Sequence, residues 1–513
     1  MNPTHSRPAR VRPAPAFEPE AIGRVLRRLD LPCYVFRQGG RTGVAHEPVP
    51  GTEILTTVGP LHTDRLGSAT FRQAHGVRGA YMAGSMATGI ASVELVGAMA
   101  RAGYLASFGA AGLSQARTEQ AVSRLGRELS GLPWAANLIH SPRTPRLERR
   151  TVDLYLAHGV RRVEASAFVD ITTELVRYRA AGLRPDPCTG VHAGHHVIAK
   201  LSRPEVAERF LRPAPDALLD TLAAEGRITA EQARLARLLP LADDITAEAD
   251  SAGHTDGRPL TVLLPELLEL RDRLAPLVRV GAAGGLGTPL AVHAAFALGA
   301  DYVVTGSVNQ ACVEAGTSDQ VKQLLAEAGP ADCTTAPAAD MFELGVDVQV
   351  LHRGSLFPGR ARWLYRLYRE LDSLDDLAPA DRERLERQVF RRPVQEVERA
   401  QTENRPQDAE RSARDPKFRM ASTFRWYLGN SARWATGGER DRSADFQIWC
   451  GPAMGAFNAW TGGTPLALPR NRRVADIADR LLAGAAYHGR LTQLRLAGVR
   501  LPAAVRTLGV TLR

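Results

Sequence analysis

The sequence predicts an α/β protein built on a TIM (β/α)8 barrel. Three observations carry that expectation. From Gly79 onward, short apolar and β-branched runs alternate with helical stretches, the pattern of parallel βα units. Eight such runs fit into roughly 230 residues, close to the ~250 typical of this barrel. The last two runs end in glycine-rich turns, Gly284-Gly285 and Gly306-Ser307, where β/α barrels commonly hold a phosphate.

Taken in order, residues 1–18 are rich in proline and arginine and read as disordered. Residues 21–71 form a helix and short strands, in which PCYVFRQGGRTGVA is a hairpin turned at Gly39-Gly40. The barrel strands are expected at 80–83, 104–108, 134–138, 162–166, 197–200, 244–248, 278–282 and 302–305. Helices separate them, for example at 92–102, 146–158 and 172–181. Between the fifth and sixth strands, residues 204–241 carry helical segments (EVAERFL, DALLDTLAAEG, TAEQARLARLL). This insertion reads either as a lid or partner surface over the barrel mouth or as ordinary helical packing. Pro289 suits the first turn of a helix over 290–298, which Gly299 closes. Beyond about residue 320 the alternation is lost. That region carries five of the six tryptophans (Trp363, Trp426, Trp434, Trp449, Trp460) and is expected to be a folded, mainly helical appendage. Residues 395–415 are highly charged and read as a surface helix or linker. The expected division is therefore 1–75, 76–320 and 321–513.

Composition narrows the function classes. Five scattered cysteines without a C-x-x-C pair argue against a zinc site or a disulfide framework and fit a reducing cytoplasm. The arginine-rich N-terminus lacks the apolar core of a secretory leader, and the most apolar window, 91–113, is interrupted by Glu94 and Arg101. A cytoplasmic protein that spans no membrane is expected. The formal charge is +10, and only three of the 65 basic residues are lysines (Lys200, Lys322, Lys417). Acids are interleaved with the arginines and no nucleic-acid-binding motif accompanies them. An acidic protein partner or a solvated arginine-rich surface remains open.

Chemistry-bearing residues sit at the strand ends. The two glycine turns present backbone N–H groups with helix N-termini behind them, a site for a phosphate dianion. Their spacing does not follow G-x-G-x-x-G, and plain tight turns would also use glycine. After the first strand, Ala83-Gly84-Ser85 offers small residues against which a flat ring could lie. Asn137 on the third strand can donate and accept at a heteroaromatic edge. Lys200 on the fifth could balance negative charge on a reduced cofactor or be an ordinary solvated charge. After the sixth strand, Glu248 is followed by small residues and His254, a candidate proton donor near neutral pH. His195-His196 lie on opposite faces of a strand, so no metal site is expected.

These segments together resemble the FMN-dependent nitronate monooxygenase and FabK-type enoyl reductase superfamily, and within it the PfaD-type trans-acting enoyl reductases of polyketide and polyunsaturated fatty acid synthases. The resemblance rests on AGSMATGIASVELV at Ala83, WAANLIH around Asn137, VEASAF at Glu164, IAKLSRPEVA at Lys200 and ITAEADSAGHTDGRP around His254. It continues through AAGGLGTP at Gly284, ADYVVTGSVNQACVEAG at Gly306, FRWYLGNSARWA at Phe424 and IWCGPAMGAFNAW at Ile448. It implies a barrel holding FMN, with the phosphate on Gly284, Gly285, Gly306 and Ser307. The ring would lie near Ala83, Gly84, Asn137 and Lys200, with Ser85 and Glu248 completing the site. His254 falls at the catalytic histidine, and Ala252 departs from a second glycine in the pattern. The implied reaction is reduction of an enoyl thioester on an acyl carrier protein, with NADPH as hydride source and synthase components as partners. A homodimer is left open. Two other expectations stand beside it: a nitronate monooxygenase-type oxidase, and a non-catalytic docking component of a synthase.

Overall fold

The computed structural model describes residues 15–142, 144–253, 255–404 and 408–506. Residues 1–14 of the stretch expected to be disordered lie outside the described residues, and within the rest of it Ala16 bridges to Val44. A helix, Pro19–Arg27, precedes a three-stranded antiparallel sheet of β1 (Cys33–Gln38), β2 (Arg41–Ala45) and β3 (Glu53–Val58), in the order β2-β1-β3. The predicted hairpin is there, and positive φ at both Gly39 and Gly40 is what its two-residue turn demands.

The eight predicted barrel strands are all present. They are β4 (Tyr81–Ala83), β5 (Leu105–Phe108), β6 (Ala135–Ile139), β7 (Arg162–Ser166), β10 (His196–Leu201), β11 (Asp244–Glu248), β12 (Arg279–Ala283) and β13 (Tyr302–Thr305). All pair in parallel and close as β10-β11-β12-β13-β4-β5-β6-β7. Boundaries shift by a residue or two. A hairpin that the sequence pattern does not announce, β8 (Leu183–Asp186) with β9 (Gly190–Ala193), lies before β10.

The helix Ala69–His75 plugs the N-terminal end of the barrel. Phe71 stacks on the buried Tyr302, with ring centroids 4.2 Å apart. Arg162 Nε donates to His75 Nδ1 (3.2 Å), leaving the His75 Nε2 proton for Asp244 Oδ2 at 2.9 Å. Arg279 also pairs with Asp244, at 2.5 and 3.0 Å. Burial would raise the Asp244 carboxyl pKa, but His75 and Arg279 outweigh it and hold it below the usual range. This end of the barrel is therefore satisfied internally, and the reactive end is the other one.

The helices Val93–Arg101, Gln115–Glu128, Pro145–Ala157, Thr173–Ala181, Pro204–Leu211, Leu260–Leu274 and Pro289–Ala297 follow the first seven barrel strands. After β13 there is only the short Ser307–Gln310. The eighth outer position is filled by Val474–Leu496, which packs on Pro289–Ala297 and Val93–Arg101 and buries Ile477, Leu481 and Leu482 in the barrel core. The expected region 321–513 is thus divided by packing. Its earlier part has its own core around Phe342, Trp363, Phe424 and Tyr427 and is mainly helical. It also contains an antiparallel hairpin, β14 (Cys333–Pro337) with β15 (Asp347–Leu351), that the mainly helical expectation did not foresee. Arg490, on the Val474–Leu496 helix, donates to the carbonyls of Leu26, Arg28, Leu29, Leu31 and Gly59 and pins the N-terminal unit to the barrel.

Candidate active site

The C-terminal ends of the barrel strands surround a pocket of about 1260 Å³, a figure that includes the solvent at its open mouth. Gly84, Ser85, Asn137, Lys200, Glu248, Gly284, Gly285, Gly306 and Ser307 all line it. Nine residues chosen from six strand ends thus converge on one space. Ala83 does not line it. As the last residue of β4 it is fully buried, paired in register between Ala106 and Thr305. His254 lies outside the described residues, and the preceding Gly253 lines the pocket. Ala252 lines it as well, so its methyl takes up room that a glycine would leave.

The charged floor is built from three strands. Lys200 Nζ lies 3.2 Å from Glu248 Oε1 and 3.9 Å from Glu164 Oε1. Burial works against the ammonium charge, but the two carboxylates outweigh it and hold the Lys200 pKa above its ordinary value. Glu164 is wholly buried. Its Oε2 accepts the Ser85 N–H at 2.8 Å, while Oε1 has no hydrogen-bond partner among the described residues. Glu164 therefore ties the turn after β4 to the lysine on β10. Asn137 Nδ2 donates to the Glu164 carbonyl (3.1 Å) and to Ser166 Oγ (3.0 Å), which orients the amide.

The two glycine turns are also positioned by specific contacts. Gly284 and Gly285 adopt positive φ, 98° and 72°, which bends the chain sharply off β12. Gly84 N–H donates to the Thr305 carbonyl at 3.0 Å, and Asn309 Nδ2 donates to both oxygens of Thr305. A Cβ built on Gly285 or Gly306 would meet nothing within 4 Å, so both turns present bare backbone to open space.

Cover for the pocket comes from the C-terminal region. Trp449, Gly451, Pro452 and Ala453 line it, with Val348 from β15. Gly451 N–H donates to Ser307 Oγ at 3.2 Å, and Gln349 Nε2 donates to Asp250 Oδ1. A Cβ on Gly287 would fall 2.0 Å from the Ala453 carbonyl oxygen, so only glycine permits this close approach. The insertion 204–241 lines no part of the pocket. Its helices Pro204–Leu211, Asp216–Ala224 and Ala230–Ala236 pack on Thr173–Ala181 and Leu260–Leu274. The resemblance runs through Glu164 and the covering segment, but sequence reasoning gave neither a role in the site. Glu164 sits mid-strand with no turn to mark it, and the IWCGPA segment is distant in sequence from everything it touches.

A closed eight-stranded parallel barrel with a deep rim pocket places the protein in the class of (β/α)8 barrels whose site lies at the C-terminal face. The model of the fatty acid synthase subunit PfaD N-terminal domain matches residues 10–53. That of the inserted helical domain of [acyl-carrier-protein] S-malonyltransferase matches residues 371–446. Among solved structures, the enoyl reductase domain of MlnA from the macrolactin cluster of Bacillus amyloliquefaciens superposes with a TM-score of 0.81. It is 37% identical, over 85% of this chain and 100% of that one. The chain therefore belongs to the PfaD-type enoyl reductase family. A polyunsaturated fatty acid synthase subunit of a Thraustochytrium species is 44% identical over 94% of this chain and 33% of its own length. Polyketide biosynthesis protein PksE of Bacillus subtilis is 44% identical over 82% of this chain and 56% of its own. The chain thus spans from about a third to just over half of these relatives.

Proposed function

We propose that this protein is an FMN-dependent, trans-acting enoyl reductase, acting on enoyl thioesters of an acyl carrier protein in polyketide or polyunsaturated fatty acid synthesis. The observation that carries the reading is the convergence on one pocket of two open glycine turns, the Gly84-Ser85 turn, Asn137 and Lys200. The residues fit a flavin nucleotide. Gly285, Gly306 and Ser307 would hold the phosphate, and Gly84, Asn137 and Lys200 the ring. When bound, FMN reduced by NADPH supplies the hydride for the β-carbon of the unsaturated thioester. Lys200, held charged by Glu248 and Glu164, offers a positive charge near the ring edge. Asn137, its amide fixed by Ser166, orients rather than reacts. Trp449 and Gly451–Ala453 line the pocket and would shield part of a bound ring from water. The α-carbon proton is assigned to His254, the residue next in sequence to the pocket-lining Gly253.

Purified protein should be yellow, retain FMN, and oxidise NADPH only when given an enoyl thioester. His254→Ala should keep FMN and lose at least ~100-fold in turnover, the usual scale for a general acid. Unchanged turnover would remove His254 from the reaction. Oxygen consumption with alkyl nitronates without NADPH would select the oxidase reading. Failure to bind flavin would select the docking component.

A further inference from the structure

A second, narrower cleft, about 540 Å³ with the solvent at its open mouth included, lies on the same barrel rim between the turns after β5 and β6. It lies beside the first pocket, since Ala111, Asn137 and Ile139 line both. Away from that junction its walls include Ala110, Leu113, Leu147 and Leu154, from the turn after β5 and one face of the helix Pro145–Ala157. The one buried acid in the wall is Glu148, and its charge is already engaged. Oε1 accepts the Thr172 hydroxyl, and Oε2 lies 3.3 Å from His140 Nδ1. The cavity thus has a mainly apolar lining, with the paired Glu148 carboxylate, the exposed Arg150 and the polar Gln115, Thr118, Ser141 and Thr151 also in its wall, and it lies beside Asn137.

We propose that this side cavity holds the acyl tail of the thioester substrate, beyond the carbons that react. The proposal rests on the enoyl reductase reading and names the part of the substrate that the side cavity selects. A thioester chain entering the first pocket would place its reacting carbons near Asn137 and Lys200. Its remaining carbons would then pass Ala111 and Ile139, which border both spaces, into the side cavity. Long or branched chains would gain from this space, and a crotonyl chain would not reach it.

The test fills the cavity from its helix side. Leu147→Trp/Thr151→Trp uses positions that are exposed or half-buried and line only the second cavity. The expected result is a kcat/KM for a crotonyl thioester within about 2-fold of wild type. For a 2-dodecenoyl thioester it should fall at least ~10-fold, the lower end of what hydrophobic pockets discriminate. Leu147→Ala, which opens the same wall and keeps the helix, should shift preference toward bulkier tails. An equal fall with both thioesters, or no change with either, would overturn the proposal. So would a raised KM for NADPH with the chain-length profile intact, which would give the cavity to the dinucleotide. Calorimetric binding of saturated dodecanoyl-pantetheine to the holoenzyme needs no turnover. It should weaken ~10-fold in the double variant. Wild type that binds this compound but reduces no enoyl thioester would refute the proposed activity and leave the tail site standing.

Discussion

Replacing Lys200 with methionine keeps the length of the side chain and removes the one ammonium between two buried carboxylates. At an effective dielectric of about 20, its separations from Glu248 and Glu164 correspond to gross attractions of about 5 and 4 kcal/mol, offset by the cost of burying all three charges. What matters for the variant is what stays behind. Two acids are left without a cationic partner among the described residues, and breaking a buried pair in this way costs about 3–5 kcal/mol. For a unit the size of the barrel that corresponds to a Tm lower by about 6–20 °C. The loss has a definite pH dependence. Burial and mutual repulsion raise the pKa of one glutamate in the folded variant above its unfolded value of about 4.3. Below that unfolded value both states are protonated and the variant is least impaired. As pH rises toward the raised folded pKa, the unfolded chain ionises first and stability falls. Differential scanning calorimetry of the flavin-free protein should therefore show a larger deficit at pH 8 than at pH 5.5. Lys200→Met/Glu248→Gln should recover most of it. A single variant within 2 °C of wild type at pH 8, or a deficit that grows on acidification, would refute the account of the charged floor.

Gly306→Ala should change the flavin-free Tm little, because the added methyl enters open space. FMN titration by fluorescence quenching should nonetheless show binding weaker by at least ~10-fold, about 1.4 kcal/mol. Burial lowers the pKa of His75, His293 and His488, and that of His195 to about 4. These groups take up protons more readily in the unfolded chain, whose histidines titrate near 6.5, so stability is lost as pH falls below that value. Tm measured at pH 5 should be lower than at pH 7.5, and a flat or inverted profile would contradict the burial of these rings. Arg490→Met removes the charged donor shared by five carbonyls and should cost about 3 kcal/mol. Faster amide exchange over residues 26–31 would locate that loss, and uniform exchange across the chain would count against the pinning role.

The barrel was legible because its units repeat. Each strand is a short apolar run followed by a turn residue with a mechanism, such as Pro289 opening a helix or Gly299 closing it. Site residues at strand ends, Lys200 and Glu248 among them, inherit their position from that repeat, and so they could be placed without contacts. Ala83 shows the limit of the method, since the end of a strand marks the rim and not which side chain faces it. Glu164 was hidden for a related reason. A buried carboxylate mid-strand is recognisable only when the Ser85 N–H and the Lys200 ammonium are seen around it. The cover at Trp449–Ala453 and the hairpin of β14 and β15 depend on pairings across long sequence separations, which local pattern does not encode.

The helix Val474–Leu496 gives the ring a seam. Every other stave of the outer wall is laid down beside the strand it supports, but this one arrives only after the whole intervening helical region has been synthesised. Until then the flank between the first and seventh helices exposes an apolar stripe. A version of the protein cut before residue 474 would carry all eight strands and still lack a wall. Engineering that separates the helical region from the barrel must therefore bring this one segment back across the break.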